Sequence, residues 1–413
     1  MSSASSDPAR SDLASSDLGA RHASVDVLRG AVAVLMVFGW HLSTLPDAPA
    51  VWKHLAAPTD EGLTIADAVF PAFLFLVGLS TPLAEAAQRR AGASLRRVLQ
   101  RAAVRALALL AIGVLMVNAP LVAAPFGWQG APWRLWSAVV LAAVLAVWNR
   151  NPLRTERAER LASAARAVGF VALGAAALTY RRADGGWLRP EWWGILGVIG
   201  WVSLPVAAVS AVTRGRRGPI VLALFAALGV YCAAASPDGA TRARVFGFDF
   251  GSIFGTHTAI ALAGLFVGTL LAGPTQVRDA TRRLWTAAAW LAGVAALGAA
   301  LAPAFGVNKL RATPAWGLYA AALTGGAWLA AALLYDGGRV RAPLWLRRIG
   351  ENPLAVYLIY QLALDVLMLT GRTEVFTLGH RGPVLAVLTS LAFAAAVGAL
   401  AALARRYGPW PRL

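Results

Sequence analysis

Apolar runs of about 20 residues recur from one end of this chain to the other. As a helix, each is long enough to cross the hydrocarbon core of a bilayer. That feature sets the fold class as all-α, a polytopic transmembrane helical bundle. Twelve candidate spans can be drawn, at 27–45, 64–83, 103–119, 135–148, 164–180, 194–212, 219–236, 256–273, 284–303, 313–335, 351–369 and 383–404. The fourth is short, so 11–12 spanning helices are expected. Composition agrees. Hydrophobic residues make up 58% of the chain and charged residues 14%, against roughly 25% charged in a soluble domain.

The net charge of +18 would suggest a nucleic-acid partner if it formed a patch. Instead the basic residues sit in short connections between spans, where they set orientation in the membrane. With both termini in the cytoplasm, the inside segments are the tail and the connections near 84–102, 149–163, 213–218, 274–283, 336–350 and 405–413. Counted with their flanking turns, they carry 27 of the 38 Lys and Arg, and the outside connections carry 11. The expected partner is therefore the lipid bilayer and not nucleic acid. Residues 1–23, rich in Ser, Ala and Asp, read as a disordered cytoplasmic tail. They lack the apolar core of a signal peptide. Residues 24–413 read as a single polytopic domain. The one cysteine, Cys232, excludes disulfides and reads as a packing residue. Only Lys53 and Lys309 among the basic residues are lysines. The arginine bias, the cytoplasmic termini and the want of an organellar signal point to a bacterial inner (plasma) membrane.

Ionisable side chains within spans are costly, and they face a cavity or a partner. The densest group of reactive side chains lies in Trp52–Ser80, WKHLAAPTDEGLTIADAVFPAFLFLVGLS. There His54, Asp60 and Glu61 precede an apolar helix that carries Asp67 near its start. Alone, His54 is an ordinary loop histidine, and Asp67 suits a helix N-terminus. Together they form a base and the carboxylate that orients it. His41, near the outer end of the first span, is either a hydrogen-bonded packing residue or a second base. Asp26 and Arg29 lie three apart on one helix face. They read as a local ion pair or as a contact to an anionic cofactor on the cytoplasmic side. Asn308, Lys309 and Arg311 form a compact polar group suited to phosphate or an anionic sugar, or else plain interfacial charge. His257, between Thr256 and Thr258, opens the eighth span. Trp187, Trp192 and Trp193 read as interfacial anchors, with sugar stacking the alternative. Asn352, with Tyr357, Tyr360, Gln361 and Asp365 on the next turns, makes its helix too polar to face lipid. His257, Trp192, Trp193 and Asn352 are the substrate candidates. There is no HExxH, no paired cysteine and no ligand-spaced histidine, so no metal is expected. There is also no Walker A loop and no GxSxG elbow, which disfavours a primary pump or a serine hydrolase.

Several segments then resemble one family in order along the chain. SVDVLRGAVAVLMVF (24–38), KH (53–54), GLTIADAVFPAFLFLVG (62–78), NKLRATPAW (308–316) and ENPLAVY (351–357) are similar to the heparan-alpha-glucosaminide N-acetyltransferase family of transmembrane acyltransferases. The resemblance implies a membrane enzyme that moves acetyl from cytoplasmic acetyl-CoA, its co-substrate, to an amino sugar or glycan on the extracytoplasmic side. It implies His54 as the active-site histidine, Asp67 as the block's carboxylate, and Arg29 as the arginine of the opening helix. It also makes a homodimer the assembly to test. Trp40 stands where the family commonly has Asn. In the broader acyltransferase class a histidine near the end of the first span is catalytic, which keeps His41 a rival to His54. CoA phosphates would favour the Arg-rich inner side, including Arg29. Two other classes fit the spans: a secondary transporter or exporter of a small polar solute, and an envelope-assembly protein with a degenerate site.

Overall fold

The computed structural model describes residues 22–413 except 56, 58, 151–154, 191, 235–243, 246–247, 373–381, 408–409 and 412–413. All but the last two residues of the 1–23 tail therefore lie outside the described residues. The helices are α1 (Ala23–Ser43), α2 (Ile65–Arg90), α3 (Leu95–Asn118), α4 (Trp133–Val147), α5 (Glu156–Leu178), α6 (Gly194–Thr213), α7 (Arg217–Ala234), α8 (Thr258–Leu271), α9 (Ala280–Phe305), α10 (Pro314–Ala331), α11 (Leu344–Gly350), α12 (Pro353–Leu369) and α13 (Pro383–Tyr407). Strand structure among these residues is confined to pairs two residues long.

The helix starts follow from local chemistry. Thr64, Ser94, Thr155, Asp279 and Asn352 each accept a hydrogen bond from the backbone N–H three residues on, which satisfies one of the orphan donors of a first turn. Pro314 and Pro353 occupy first-turn positions, where a missing N–H costs nothing.

Each of the twelve expected spans meets a helix. Among the described residues, ten helices or helix–turn units are long and apolar enough to cross a membrane. The bent pair α11–α12 supplies an eleventh, and the shorter α4 is the short fourth span. Two details differ from the expectation. The eighth span opens with a π-helical turn, Gly251–His257, before α8 begins. The eleventh is preceded by α11, set at 86° to α12. Cys232, expected to be a packing residue, is exposed on α7.

Contacts between connections fall into two sets, one at each end of the bundle, as alternating crossings require. At one end Asn308 bonds the backbone of Ala57 and Asp60, Ala123 N donates to Arg181 O, and Arg134 pairs with Asp365. At the other end Arg29 bonds Ser80, Ser24 bonds Asp336, Ser210 bonds Glu85, and Arg217 bonds Thr275 O. This second end is the Arg-rich one.

The centre of the bundle is α8, almost wholly buried. It packs on α2 at backbone-to-backbone range. A Cβ added at Gly264 would lie 2.0 Å from Phe75 O, one at Gly268 2.4 Å from Leu79 O, and one at Gly78 1.7 Å from Ala261 O. Small residues permit this close approach, which lets dispersion and backbone contact replace the hydrophobic drive that lipid does not supply. Gly30 and Gly350 do the same for α1 and α11. Gly264→Val should therefore destabilise the protein by about 3 kcal/mol or more, read as a lower unfolding midpoint in detergent. Gly229→Val on α7, where a Cβ meets nothing within 4 Å, should leave packing intact.

Candidate active site

Asp67 is the third residue of α2 and is fully buried. Thr64, the residue before α2, caps the helix by accepting from Asp67 N at 3.2 Å, which holds the carboxylate at the mouth of the bundle. A buried carboxylate is stable only when it is paired and hydrogen-bonded. Its partners come from two connections. His54 Nδ1 lies 2.8 Å from Oδ1 and Leu55 N donates to Oδ2 at 3.2 Å, both from the 44–64 connection. Lys309 Nζ donates to Oδ1 at 2.9 Å from the connection between α9 and α10.

Lys309 Nζ also lies 2.9 Å from His54 Nδ1. Three atoms thus form a near-equilateral triangle, and one proton arrangement suits it best. If Nδ1 kept its lone pair to accept from Lys309, that lone pair would face the carboxylate oxygen at 2.8 Å. With the proton on Nδ1, the carboxylate oxygen accepts from both nitrogens, as its two lone pairs allow. The Nε2 lone pair of His54 is then free to act as a base. The imidazole is half-buried, its side chain 41% exposed, so it is reachable from outside the bundle.

The connection that carries Lys309 is built to hold it there. Asn308 Nδ2 donates to Asp60 O at 2.6 Å and to Ala57 O at 3.3 Å, while Asn308 Oδ1 accepts from Arg311 N at 2.8 Å. Thr313 Oγ1 accepts from Asn308 N at 2.9 Å. Ala312 takes a positive φ of 42°, a conformation uncommon outside glycine. Glu61 clasps the same segment, accepting from Arg311 Nη2 at 2.6 Å and from Val307 N. Tyr231 OH, from α7, donates to Arg311 O at 3.2 Å.

The other sequence candidates are distributed as follows. His257 lies near the triad, edge-on to Phe70 at 5.4 Å and to Trp316 at 6.1 Å. Phe70 is one turn along α2 from Asp67. His41 is fully buried and faces α13. Its Nδ1 lies 2.8 Å from Ser390 Oγ, and its ring stacks on Phe393 at 4.9 Å. Trp192 is exposed at the start of α6, and Trp193 packs edge-on to Trp201 at 5.3 Å. Asp26, Arg29 and Asn352 belong to the opposite end of the bundle. Arg29 Nη1 donates to Asp26 Oδ1 at 3.2 Å and Nη2 donates to Ser80 Oγ at 2.5 Å. Asn352 caps α12 beside Gly350, which packs on Asp26 O. The proposed cofactor set thus splits. Arg29 and Asp26 share one end, while Asn308, Lys309 and Arg311 lie with His54 at the other, about 20 Å away by the thirteen-residue rise of α2 from Asp67 to Ser80.

Sequence reasoning left Glu61, Ser80 and Ser390 without a role. Serines within spans give little signal, because the hydroxyl can satisfy itself on the carbonyl one turn back. Ser80 and Ser390 both do so, on Leu76 O and Ala386 O.

Residues 22–403 match the acyltransferase domain. The chain belongs to that family, the acyltransferase-3 family. It is also similar to two curated heparan-alpha-glucosaminide N-acetyltransferases. The human protein is 32% identical over 143 residues, which is 33% of this chain and 21% of that protein. The mouse protein is 32% identical over 105 residues, 25% of this chain and 15% of that protein. The chain thus matches about a fifth or less of the length of these relatives. Family membership and the apolar helices together make this an integral membrane protein of the acyltransferase family. Groups of His, Cys, Asp and Glu that could hold a metal ion are absent among the described residues.

Because Asp67 is shared between His54 and Lys309, its partners should not be energetically independent. Lys309→Met and Asp67→Asn, singly and together, should give a coupling of about 0.5–3 kcal/mol in a double-mutant cycle of detergent unfolding. Additive effects would mean the triangle is not formed in solution.

Proposed function

We propose that this acyltransferase moves an acetyl group from cytoplasmic acetyl-CoA to an amino sugar or glycan at the extracytoplasmic side, with His54 as the catalytic base or acyl carrier. The observation that carries this reading is the 2.8 Å contact from His54 Nδ1 to the buried carboxylate of Asp67. It leaves Nε2 as the reactive atom of a half-exposed ring.

Attack of an amine on a thioester needs a base that works near neutral pH, and imidazole supplies it. His54 Nε2 would take the proton of the acceptor amine as the new C–N bond forms and the C–S bond breaks, with CoA leaving as the thiol after proton transfer. In the covalent route the same lone pair attacks the thioester first, breaking the C–S bond and expelling CoA as its thiolate. The acceptor amine then attacks the acyl-imidazole, its C–N bond forming as the acyl–Nε2 bond breaks and its proton passing to the freed imidazole. Asp67 balances the charge that develops on the ring in either route, and Lys309 fixes Asp67. Arg29, with its side chain partly exposed at the Arg-rich end, suits the phosphates of CoA. The positive-inside rule assigns that end to the cytoplasm. The acyl arm would then run along α2 toward His54. The arginine bias supports a bacterial inner membrane, which favours a cell-envelope or scavenged amino sugar as acceptor. A transporter would use the same spans but gives no account of the family match.

Solubilised protein incubated with labelled acetyl-CoA and glucosamine should yield acetylated sugar. His54→Ala should lower turnover by roughly 10²-fold or more. Solute flux without CoA binding would sink the reading. His41→Ala, made alongside, should leave measurable turnover, and loss of activity in His41→Ala alone would transfer the catalytic role to His41. Asp67→Asn should reduce kcat more than it raises the KM for acetyl-CoA. Equal loss of membrane-inserted protein would assign Asp67 a structural role instead.

A further inference from the structure

Two polar atoms just beneath the His54 cluster make no hydrogen bond to any described residue. They are Trp316 Nε1 and Thr256 Oγ1, on side chains that are each 1% exposed. Buried polar groups are paired as a rule, and each exception asks for a cause.

Their position is informative. Thr256 is the penultimate residue of the π-helical turn Gly251–His257, whose backbone departs from helical geometry at Gly255, with φ −86° and ψ −105°. Such turns recur at functional sites, because they re-aim side chains that a regular helix would direct elsewhere. Trp316 lies in the first turn of α10. Thr313, three residues before it, holds Asn308 and so the Lys309 connection. The two elements touch directly: a Cβ on Gly317 would lie 2.4 Å from Thr256 Cγ2. His257 bridges them to α2 through its edge contacts with Trp316 and Phe70. Phe70 shares a helix face with Asp67, about 4.5 Å deeper along the axis.

The chemistry of the pair narrows what it would bind. An indole N–H only donates, and a threonine hydroxyl donates or accepts. Charged side chains are not part of the pair, so an anion has no counter-charge there. The complementary group is a neutral oxygen, a carbonyl or a hydroxyl. Resting on the proposed function, such oxygens come from two sources: the thioester and amide carbonyls of the acyl donor, and the hydroxyl or N-acetyl groups of the sugar. We infer that Trp316 and Thr256 form a neutral subsite that receives a carbonyl or hydroxyl oxygen of the substrate held against His54.

Trp316→Phe and Thr256→Val keep the ring and the shape and remove the two polar atoms. In ligand-free solubilised protein both substitutions should leave the unfolding midpoint unchanged or raise it, because an unpaired buried polar group is removed. In the same preparations, binding of CoA or of N-acetylglucosamine should weaken roughly five- to tenfold. Loss confined to CoA places the donor's carbonyl in the subsite, and loss confined to N-acetylglucosamine places the sugar there. A lower midpoint in the ligand-free variants overturns the inference, since the two atoms would then have partners in the fold. Wild-type affinity for both probes in both variants overturns it as well. Wild-type protein that binds neither probe overturns the proposed function itself, and this subsite with it.

Discussion

A carboxylate buried at the mouth of an apolar bundle cannot stand alone, and the site of this protein follows from that constraint. Asp67 has no exposure, so its charge must be balanced by groups brought to it. Balance comes from His54, Leu55 N and Lys309. These residues belong to two connections separated by some 250 positions of sequence, and their meeting at one carboxylate ties α1–α2 to α9–α10. Removing one partner of such a buried pair is strongly destabilising because it leaves the other charge uncompensated. A neutral histidine held this way carries its proton on Nδ1, which leaves Nε2 as its basic nitrogen. The same contact that stabilises the fold therefore prepares the chemistry.

The carboxylate holds its place because α2 is held in register against α8. Glycines at 78, 264 and 268 bring the two backbones into contact, and no larger residue leaves room for that approach. α8 is the most enclosed helix of the bundle, and it begins with a π-helical turn that turns His257 toward Phe70 and Trp316. Close packing below and an irregular turn above are complementary. The first makes α2 a rigid mount, and the second places polar side chains next to it where a regular helix would not.

The two ends of the bundle have different characters. One gathers most of the arginines, with Arg29 anchored on Ser80 and Asp26. The other gathers His41, His54, His257 and both lysines. His41 shares the second end but turns toward Ser390 and Phe393 on α13, whereas His54 turns toward α2. Both imidazoles have Nδ1 engaged by a fixed partner. Proximity to a carboxylate and access from outside distinguish His54 from His41, which is fully enclosed.

How much was legible in the sequence depends on the range of the interaction. Hydrophobic run length alone determined the fold class and the positions of the long apolar helices, because a helix must satisfy its own backbone in lipid whatever surrounds it. Local spacing was enough for the Asp26–Arg29 pair. The pairing of His54 with Asp67 was also within reach, thirteen residues apart on one connection. Lys309 stood out as one of two lysines and as part of a polar group, with no sign that Asp67 was its partner. Glu61 stood out as loop charge with no sign of Arg311, and Ser80 and Ser390 gave no signal, since each matters through a neighbour far away in the chain. Nor did the glycines announce which helices they would join. Those facts belong to tertiary structure, because the energy of a buried charge or of a backbone contact depends on which distant segment arrives to complete it.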